Sequence, residues 1–402
     1  MPSRISNVAA FALGPLPRIE FGAGSLQRVP ELAARYGRRP LLFTGARSFC
    51  ESAAWEPFLR ALASHGLDFV HERIAAEPSP QQVDALAARY RDQGIDVVVA
   101  IGGGSVLDAA KAVAGLLRVP NSVLDFLEGV GPQLPYPGPA TPLIAVPTTA
   151  GTGSEATRNA VLSVSGPQGF KKSFRHERLV PAWAVVDPDL LASCPPAQIA
   201  ANGMDALTQL LESYVSTRAS ALTEALALAG LEAVRDALPV WYDGGPQVEA
   251  ARARMAYAAL LSGICLAHTG LGAVHGLAAP LGAFHGVPHG VACGTLLAAC
   301  TRANLEALRA RQPDSEALEK YAHAGRLLTR QRHHLPQAAA HGALLGVLEQ
   351  WTERLRLPRL GEFGIGERDL PHIVAHCRGS SMKTNPVALS DGELAQALRA
   401  RL

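Results

Sequence analysis

The chain carries almost no excess of charge of either sign. Across 402 residues, 37 Lys and Arg stand against 35 Asp and Glu, for a formal net charge of +2. That balance gives no footprint for nucleic acid or an acidic membrane surface, both of which need clustered cations. The six cysteines (Cys50, Cys194, Cys265, Cys293, Cys300 and Cys377) show no CxxC and no regular spacing. This excludes a zinc ribbon and a disulfide framework and leaves buried free thiols. The N-terminal stretch MPSRISNVAAFALGPLPRIEFG has only a short apolar patch, broken by Gly and Pro. It lacks the run of about 18 apolar residues that a bilayer requires, so neither signal peptide nor membrane span is expected, and the expected location is cytoplasmic. Internal repeats, heptads and low-complexity tracts are also missing, and the Arg-rich run RLLTRQRHH (326–334) reads as a solvated helix face.

What is present is an ordinary core composition, 48% hydrophobic and 18% charged, in a chain long enough for two domains. In the first half, short β-branched runs bounded by Gly alternate with amphipathic segments: PRIEFG (17–22), PLLFTG (40–45), DFVHERI (68–74), DVVVAIGGGS (96–105), LIAVP (143–147) and AWAVVDPDLL (182–191). A helix is expected from SLQRVPELAARYG and another near 50–64. This alternation predicts βαβ units and a mainly parallel sheet. From Pro195 the β-rich runs stop and Ala/Leu-rich stretches of helical period take over. The expected organisation is an α/β nucleotide-binding domain over 1–192 and an all-α domain over 193–402, with the site in the cleft between them.

Two loops in the first half are built for an anionic ligand. Asp96 to Ile101 reads as a buried strand, Gly102-Gly103-Gly104-Ser105 as a turn without obstructing side chains, and a helix follows at once. Free N–H groups and partial positive charge at such a helix start suit a pyrophosphate. The motif is neither GxGxxG nor a P-loop, because no Lys-Ser/Thr follows Gly104. After LIAVP comes Thr148-Thr149-Ala150-Gly151-Thr152-Gly153-Ser154, whose small hydroxyls and bare backbone can grip phosphate, ribose and amide. NAVLSV and FKKSF then read as a hairpin that returns Lys171 or Lys172 toward these loops.

The second half centres on GLGAVHGLAAPLGAFHGVPHG, which sets His275, His285 and His289 among small apolar residues. Two imidazoles fourteen residues apart suit neighbouring segments folded over one centre, and a catalytic divalent metal takes three or four N/O ligands. The remaining donors are sought upstream, in NGMDALTQLLESYVS, where Asp205 and Gln209 share a helical face at i, i+4. Taken singly, Asp205 can equally serve a helix N-terminus and each histidine a core hydrogen bond.

GGGSVLDAAKA, PTTAGTGSEAT, VVDPDL, NGMDALTQLLESYVS, the His-rich stretch and the late TNP at Thr384 to Pro386 occur in this order, and together they resemble the iron-containing (group III) alcohol dehydrogenases over nearly the whole chain. The resemblance implies the dehydroquinate synthase-like fold of that family and hydride exchange between a nicotinamide and an alcohol, aldehyde or ketone. It also implies a homodimer. Carried over by position, Gly103, Gly104 and Ser105 match the pyrophosphate turn, Thr148, Thr149 and Thr152 the loop around the nicotinamide, and Lys171 a cofactor-contacting lysine. Asp205, His275 and His289 match three metal ligands, for iron (Fe2+) or zinc (Zn2+).

There are two departures. The family's metal-binding His four residues after the Asp is Gln209 here, as in a branch reading DALTQL, and a further His is replaced by Ala279. Gln209 can offer a carbonyl oxygen to the metal, a weaker ligand than imidazole, and His285 is the nearest substitute for the lost proton relay. At Gly45, where NAD-preferring relatives carry an acid, no carboxylate repels a 2′-phosphate, and Arg47 follows, so the cofactor is written NAD(P). A maleylacetate reductase-like enzyme would want cleft cations that the 275–289 stretch lacks, and a dehydroquinate synthase-like lyase would want phosphate-binding Lys or Arg absent from NGMDALTQLLESYVS.

Overall fold

The protein is represented by a computed structural model that describes residues 8–331 and 335–402. The start of the N-terminal stretch and the end of the 326–334 run lie outside the described residues. The first half consists of β1 (Arg18–Phe21), α1 (Val29–Ala34), β2 (Pro40–Gly45), α2 (Trp55–Ser64), β3 (Val70–Ile74), α3 (Pro80–Tyr90), β4 (Val97–Gly102), α4 (Gly104–Leu116), β5 (Leu143–Pro147), β6 (Asn159–Val164), β7 (Phe170–Arg175) and β8 (Trp183–Val186). Six strands pair in parallel in the order β1-β8-β5-β4-β2-β3. Their central members are continuous apolar runs because helices cover both faces of the sheet. Successive side chains point to opposite faces: Leu41, Phe43, Val98 and Ala100 pack with α3 and α4, while Leu42, Val97, Val99 and Ile101 pack with α1 and α2. The segment read as one helix from Ser25 divides into a 3-10 turn (Ser25–Arg28) and α1. Pro30 sits in the first turn of α1, where a missing N–H costs nothing.

Beyond β8 the chain is helical, with α5 (Pro196–Val215), α6 (Ala221–Asp243), α7 (Val248–Thr269), α8 (Ala273–His285), α9 (His289–Arg311), α10 (Glu316–Leu328), α11 (Gln337–Arg354), α12 (Leu370–His376) and α13 (Asp391–Arg399). The hub is α5, buried at every residue from Gly203 to Val215 and packed against α6, α7 and α9. A helix with no exposed face needs small residues where its neighbours cross it. A Cβ on Gly203 would lie 2.3 Å from Leu238 of α6, and one on Gly290 of α9 would lie 2.6 Å from the Ala201 carbonyl oxygen. The bend of 100° between α7 and α8 is made at Gly270, whose φ of +68° favours glycine. Among the described residues no single helix is long and apolar enough to cross a membrane.

The two halves meet at the loop after β5. Gly153, at φ +59°, runs so close to α7 that a Cβ on it would come within 2.4 Å of the Gly263 Cα. The antiparallel hairpin β6–β7 lies outside the main sheet and closes the other side, β6 against α4 and β7 against α8.

Candidate metal and cofactor site

The expected cofactor residues gather at one edge of the sheet. Thr44 pairs with Ile101, Ile101 with Val146, and Gly102 with Pro147, so the carboxyl ends of β2, β4 and β5 lie side by side. Gly45, the Gly103–Ser105 turn and the Thr148–Thr152 loop follow directly from those ends. The chain leaves β2 toward β3 on one side and β4 toward β5 on the other, which makes the β2/β4 boundary the switch point where a crevice opens. The absence of side chains on the glycine turn lets the threonine loop close on it. A Cβ on Gly103 would stand 3.2 Å from Thr149 Cγ2, and one on Gly104 would stand 2.8 Å from Thr152 Cγ2. Beyond Gly45, Arg47 and Ser48 are exposed.

A buried lysine that the sequence reading did not single out braces this loop. Lys111, in the apolar run of α4, donates from Nζ to the Ser154 carbonyl (2.7 Å), Ser154 Oγ (2.9 Å), Thr157 Oγ1 (3.1 Å) and the Asn159 carbonyl (2.7 Å). Ser154 Oγ in turn donates to Asp108 at 2.6 Å. Burial pushes Lys111 down to about 8, against the pull of Asp108 and Glu155, so it stays protonated at neutral pH. Four oxygens around one ammonium tie the threonine loop to the helix that starts at the glycine turn.

Asp205 lies in the interior of α5 rather than at its start, since the helix begins at Pro196. That removes the helix N-terminus as its reason for being there. It is 1% exposed, and Gln209 and Glu212 share its face at i+4 and i+7. Opposite stands His275, in the first turn of α8, with Nε2 3.3 Å from Asp205 Oδ1. Glu212 sets this ring twice over. Its Oε2 accepts from His275 Nδ1 at 2.6 Å, and its Oε1 accepts from the Val274 N–H at 2.7 Å, an unpaired donor of the α8 start. With Nδ1 committed to Glu212, Nε2 is the nitrogen that faces Asp205. The TNP motif holds the same turn: Thr384 Oγ1 donates to the Leu271 carbonyl at 2.6 Å and Asn385 Oδ1 accepts from the Ala273 N–H at 3.0 Å.

His289 opens α9 and brings Nε2 to 3.8 Å from Asp205 Oδ1. Its Nδ1 is buried without a hydrogen-bond partner, so its polar contacts are those of Nε2. Cys293, one turn further on, is missing from the sequence reading except as a buried thiol. It places Sγ 3.5 Å from His275 Nε2 and 3.8 Å from His289 Nε2. Ligand atoms of Asp205, His275, His289 and Cys293 all fall within 4.8 Å of one another. The only sequence signal for Cys293 was its i+4 spacing from His289.

Asp205 and His289 are already in the form that binds a cation, whereas His275 and Cys293 would each release a proton to do so. Burial opposes a charge on Asp205, yet His289, His275 and Gln209 overcome it and hold the carboxyl at about 2. Burial pushes His289 down to about 4 in spite of Asp205, which leaves a neutral ring. Burial also disfavours charge on His275, but Cys293, Asp205 and Glu212 outweigh it and raise its pKa. Burial lifts the Cys293 thiol to about 12. A carboxylate and two imidazole nitrogens about 3.3 Å apart are what tetrahedral coordination at about 2.0–2.1 Å requires, and the 3.3 Å between Asp205 and His275 meets it.

Three further expected residues lie as follows. Gln209, expected to turn its carbonyl oxygen to the metal, has that oxygen accepting from Ser262 Oγ at 2.8 Å, and its side chain helps to hold the Asp205 carboxyl down. His285 ends α8, about 15 Å of helix rise beyond His275, and is partly exposed outside the donor group. Lys171 pairs with Glu77 at 2.5 Å and lies against α8, where a Cβ on Gly282 would be 3.8 Å from its Cδ. Its charge reaches His289. Removing the Glu212 carboxylate (Glu212→Ala) frees the His275 ring. Metal affinity, measured by competition with a chromophoric chelator, is expected to fall about 10- to 100-fold, whereas an unchanged affinity would show that Glu212 serves the helix start alone.

Residues 17–188 match the family described as iron-containing alcohol dehydrogenase, and residues 199–402 match the C-terminal domain of the Fe-containing alcohol dehydrogenase family. The chain is 32% identical to a 4-hydroxybutyrate dehydrogenase of Cupriavidus necator over 94% of this chain and 96% of that one. Among solved structures, a 1,3-propanediol oxidoreductase superposes with a TM-score of 0.87 at 27% identity, covering 98% of this chain and all of that one (100%). A sulfoacetaldehyde reductase from Bifidobacterium kashiwanohense, solved in complex with NAD+, superposes with a TM-score of 0.82 at 26% identity, covering 98% and 99%. With a parallel sheet followed by a helical half that gathers the donor group, and with both halves matched along their length, the chain belongs to the iron-containing alcohol dehydrogenase family and is an NAD-dependent alcohol dehydrogenase/aldehyde reductase of that family.

Proposed function

We propose that Asp205, His275 and His289 hold one divalent ion, Fe2+ or Zn2+, facing a nicotinamide cofactor in the crevice at the ends of β2, β4 and β5. The observation that carries this is the convergence of three elements on one buried point, with Glu212 committing His275 to present Nε2. When bound, the ion supplies Lewis acidity toward an alcohol or carbonyl oxygen and the nicotinamide exchanges the hydride. The chain's own part is placement. The Gly103–Ser105 turn and the start of α4 receive the pyrophosphate on unpaired N–H groups. Thr148, Thr149 and Thr152 close over it, and Lys111 keeps their loop from moving. The same loop packs on α7 through Gly153 and Gly263, which sets the cofactor's distance from the donor group. Protein purified without chelator is expected to carry near-stoichiometric metal that His275→Ala loses together with turnover. Metal retained in the variant would remove His275 from the ligand set.

The absence of an acid at Gly45 and the exposure of Arg47 support use of NADP as well as NAD. Arg47→Ala is expected to raise KM for NADPH about tenfold, the loss of one charge-assisted contact, with KM for NADH unchanged. Equal effects on both cofactors would argue against a phosphate contact.

His285 is assigned to proton exchange with solvent, a role its partial exposure allows. His285→Ala should keep its metal while kcat falls on the order of tenfold or more and its pH profile moves. An unmoved profile takes His285 out of the proton path.

The chain is proposed to work as a homodimer. The edge strand β1 exposes Ile19 (41%) and Phe21 (42%) beside Tyr257 (40%), an apolar margin that a second copy would cover. Light scattering should give twice the chain mass of 42.2 kDa, and Phe21→Lys should yield monomers; a wild-type monomer would refute the assembly.

A further inference from the structure

We infer that the Cys293 thiolate, and not Gln209, is the fourth ligand of the ion held by Asp205, His275 and His289, and that the site thereby selects zinc over iron. This rests on the metal-assisted reading above and concerns which atoms complete it.

The first argument is position. Around a tetrahedral ion with nitrogen at about 2.0–2.1 Å and sulfur at about 2.3 Å, neighbouring nitrogen and sulfur atoms are about 3.5 Å apart. Cys293 Sγ is 3.5 Å from His275 Nε2. It is 3.8 Å from His289 Nε2, which is also 3.8 Å from Asp205 Oδ1, so the sulfur belongs to the same set as the three donors proposed above. The helix geometry puts it there. His289 and Cys293 are one turn apart on α9, and Gly290 and Gly294 let that face press onto α5. A Cβ on Gly294 would meet the Met204 Cβ at 2.8 Å, beside Asp205.

The second argument is that both ends of the Gln209 amide are occupied. Gln209 helps to hold the Asp205 carboxyl down, and since a carboxylate only accepts hydrogen bonds, the part of Gln209 that can do so is the NH2 group. Its oxygen then faces Ser262, whose Oγ donates to it at 2.8 Å. Turning that oxygen to the ion would aim the NH2 group away from Asp205 and give up the Ser262 contact, leaving that buried hydroxyl on the Ala259 carbonyl at 2.8 Å. Gln209 is therefore a positioning residue that orients Asp205.

The third argument is chemical. A set of one carboxylate, two imidazoles and one thiolate is softer than an all N/O set, and thiolate ligands favour zinc over the harder ferrous ion. Four protein donors still admit a substrate oxygen, because zinc expands readily to five-coordination.

The test uses the full-length protein reconstituted with Zn2+ and read by zinc K-edge X-ray absorption. The expected spectrum contains one sulfur scatterer at about 2.3 Å among nitrogen and oxygen scatterers. A fully loaded protein with nitrogen and oxygen scatterers alone overturns the assignment of Cys293 and leaves the metal-assisted reading standing. A protein that takes up no ion overturns both. Substitution with Co2+ gives a second readout, a thiolate-to-cobalt charge-transfer band in the near ultraviolet. This band should vanish in Cys293→Ser and persist in Gln209→Ala and in the buried control Cys300→Ser. Its survival in Cys293→Ser, or its loss in Gln209→Ala alone, counts against the proposal. Given equimolar Zn2+ and Fe2+ without oxygen, the zinc-to-iron ratio retained should drop at least about tenfold in Cys293→Ser relative to wild type. An unchanged ratio would separate the thiolate from metal choice.

Discussion

A carboxylate in the middle of a fully buried helix must be surrounded by partners, and the arrangement of the helical half follows from that requirement at Asp205. Desolvation of one charge costs several kcal/mol unless it is paired or bound to a cation. The protein meets the cost with His275, His289 and Gln209, and each has to be delivered by a different element. Delivery depends on close helix approach. Glycines at 203, 290 and 294 remove the side chains that would hold α6 and α9 away from α5. The bend at Gly270 turns α8 so that its first residues, and not its middle, face the group.

The same residues that hold the donors also stabilise the helix ends. Glu212 accepts from both the His275 ring and the Val274 N–H, and Asn385 accepts from the Ala273 N–H while donating to Asn304 at 2.7 Å. Structural and functional demands therefore fall on the same atoms. Ser262 of α7 stands within reach of both the Gly151 carbonyl and the Gln209 oxygen, so the loop after β5 and α5 meet at one hydroxyl. The loop after β5 and Asp205 are thus both braced at α5 and α7, while His275 and His289 come from α8 and α9.

Much of this was legible in the chain because it rests on local rules. Buried parallel strands show as continuous apolar runs, so β2, β4 and β5 and the hairpin β6–β7 could be placed to within a few residues. The glycine turn before α4 and the threonine loop stood out because bare backbone and small hydroxyls at strand ends have few other uses. Asp205, His275 and His289 were singled out through spacing combined with family motifs, and the fold brings their donor atoms together. Lys111 was not found, since a lysine within AAKAVAGLL carries no sign that four oxygens from a loop over forty residues later close around it.

Composition and periodicity by themselves determined the class: an α/β half that ends near residue 191 and a helical half after it. They did so because hydrophobic period and backbone freedom are properties of neighbouring residues. Which way an amide points, whether a thiol sits among imidazoles, and which carboxylate commits a histidine to one tautomer were decided only by the tertiary structure. Gln209, Cys293 and Glu212 draw their roles from partners 53, 18 and 63 positions away along the chain. Contacts of that kind depend on how helices cross, and the crossing is set by packing over the whole core rather than by any stretch of sequence.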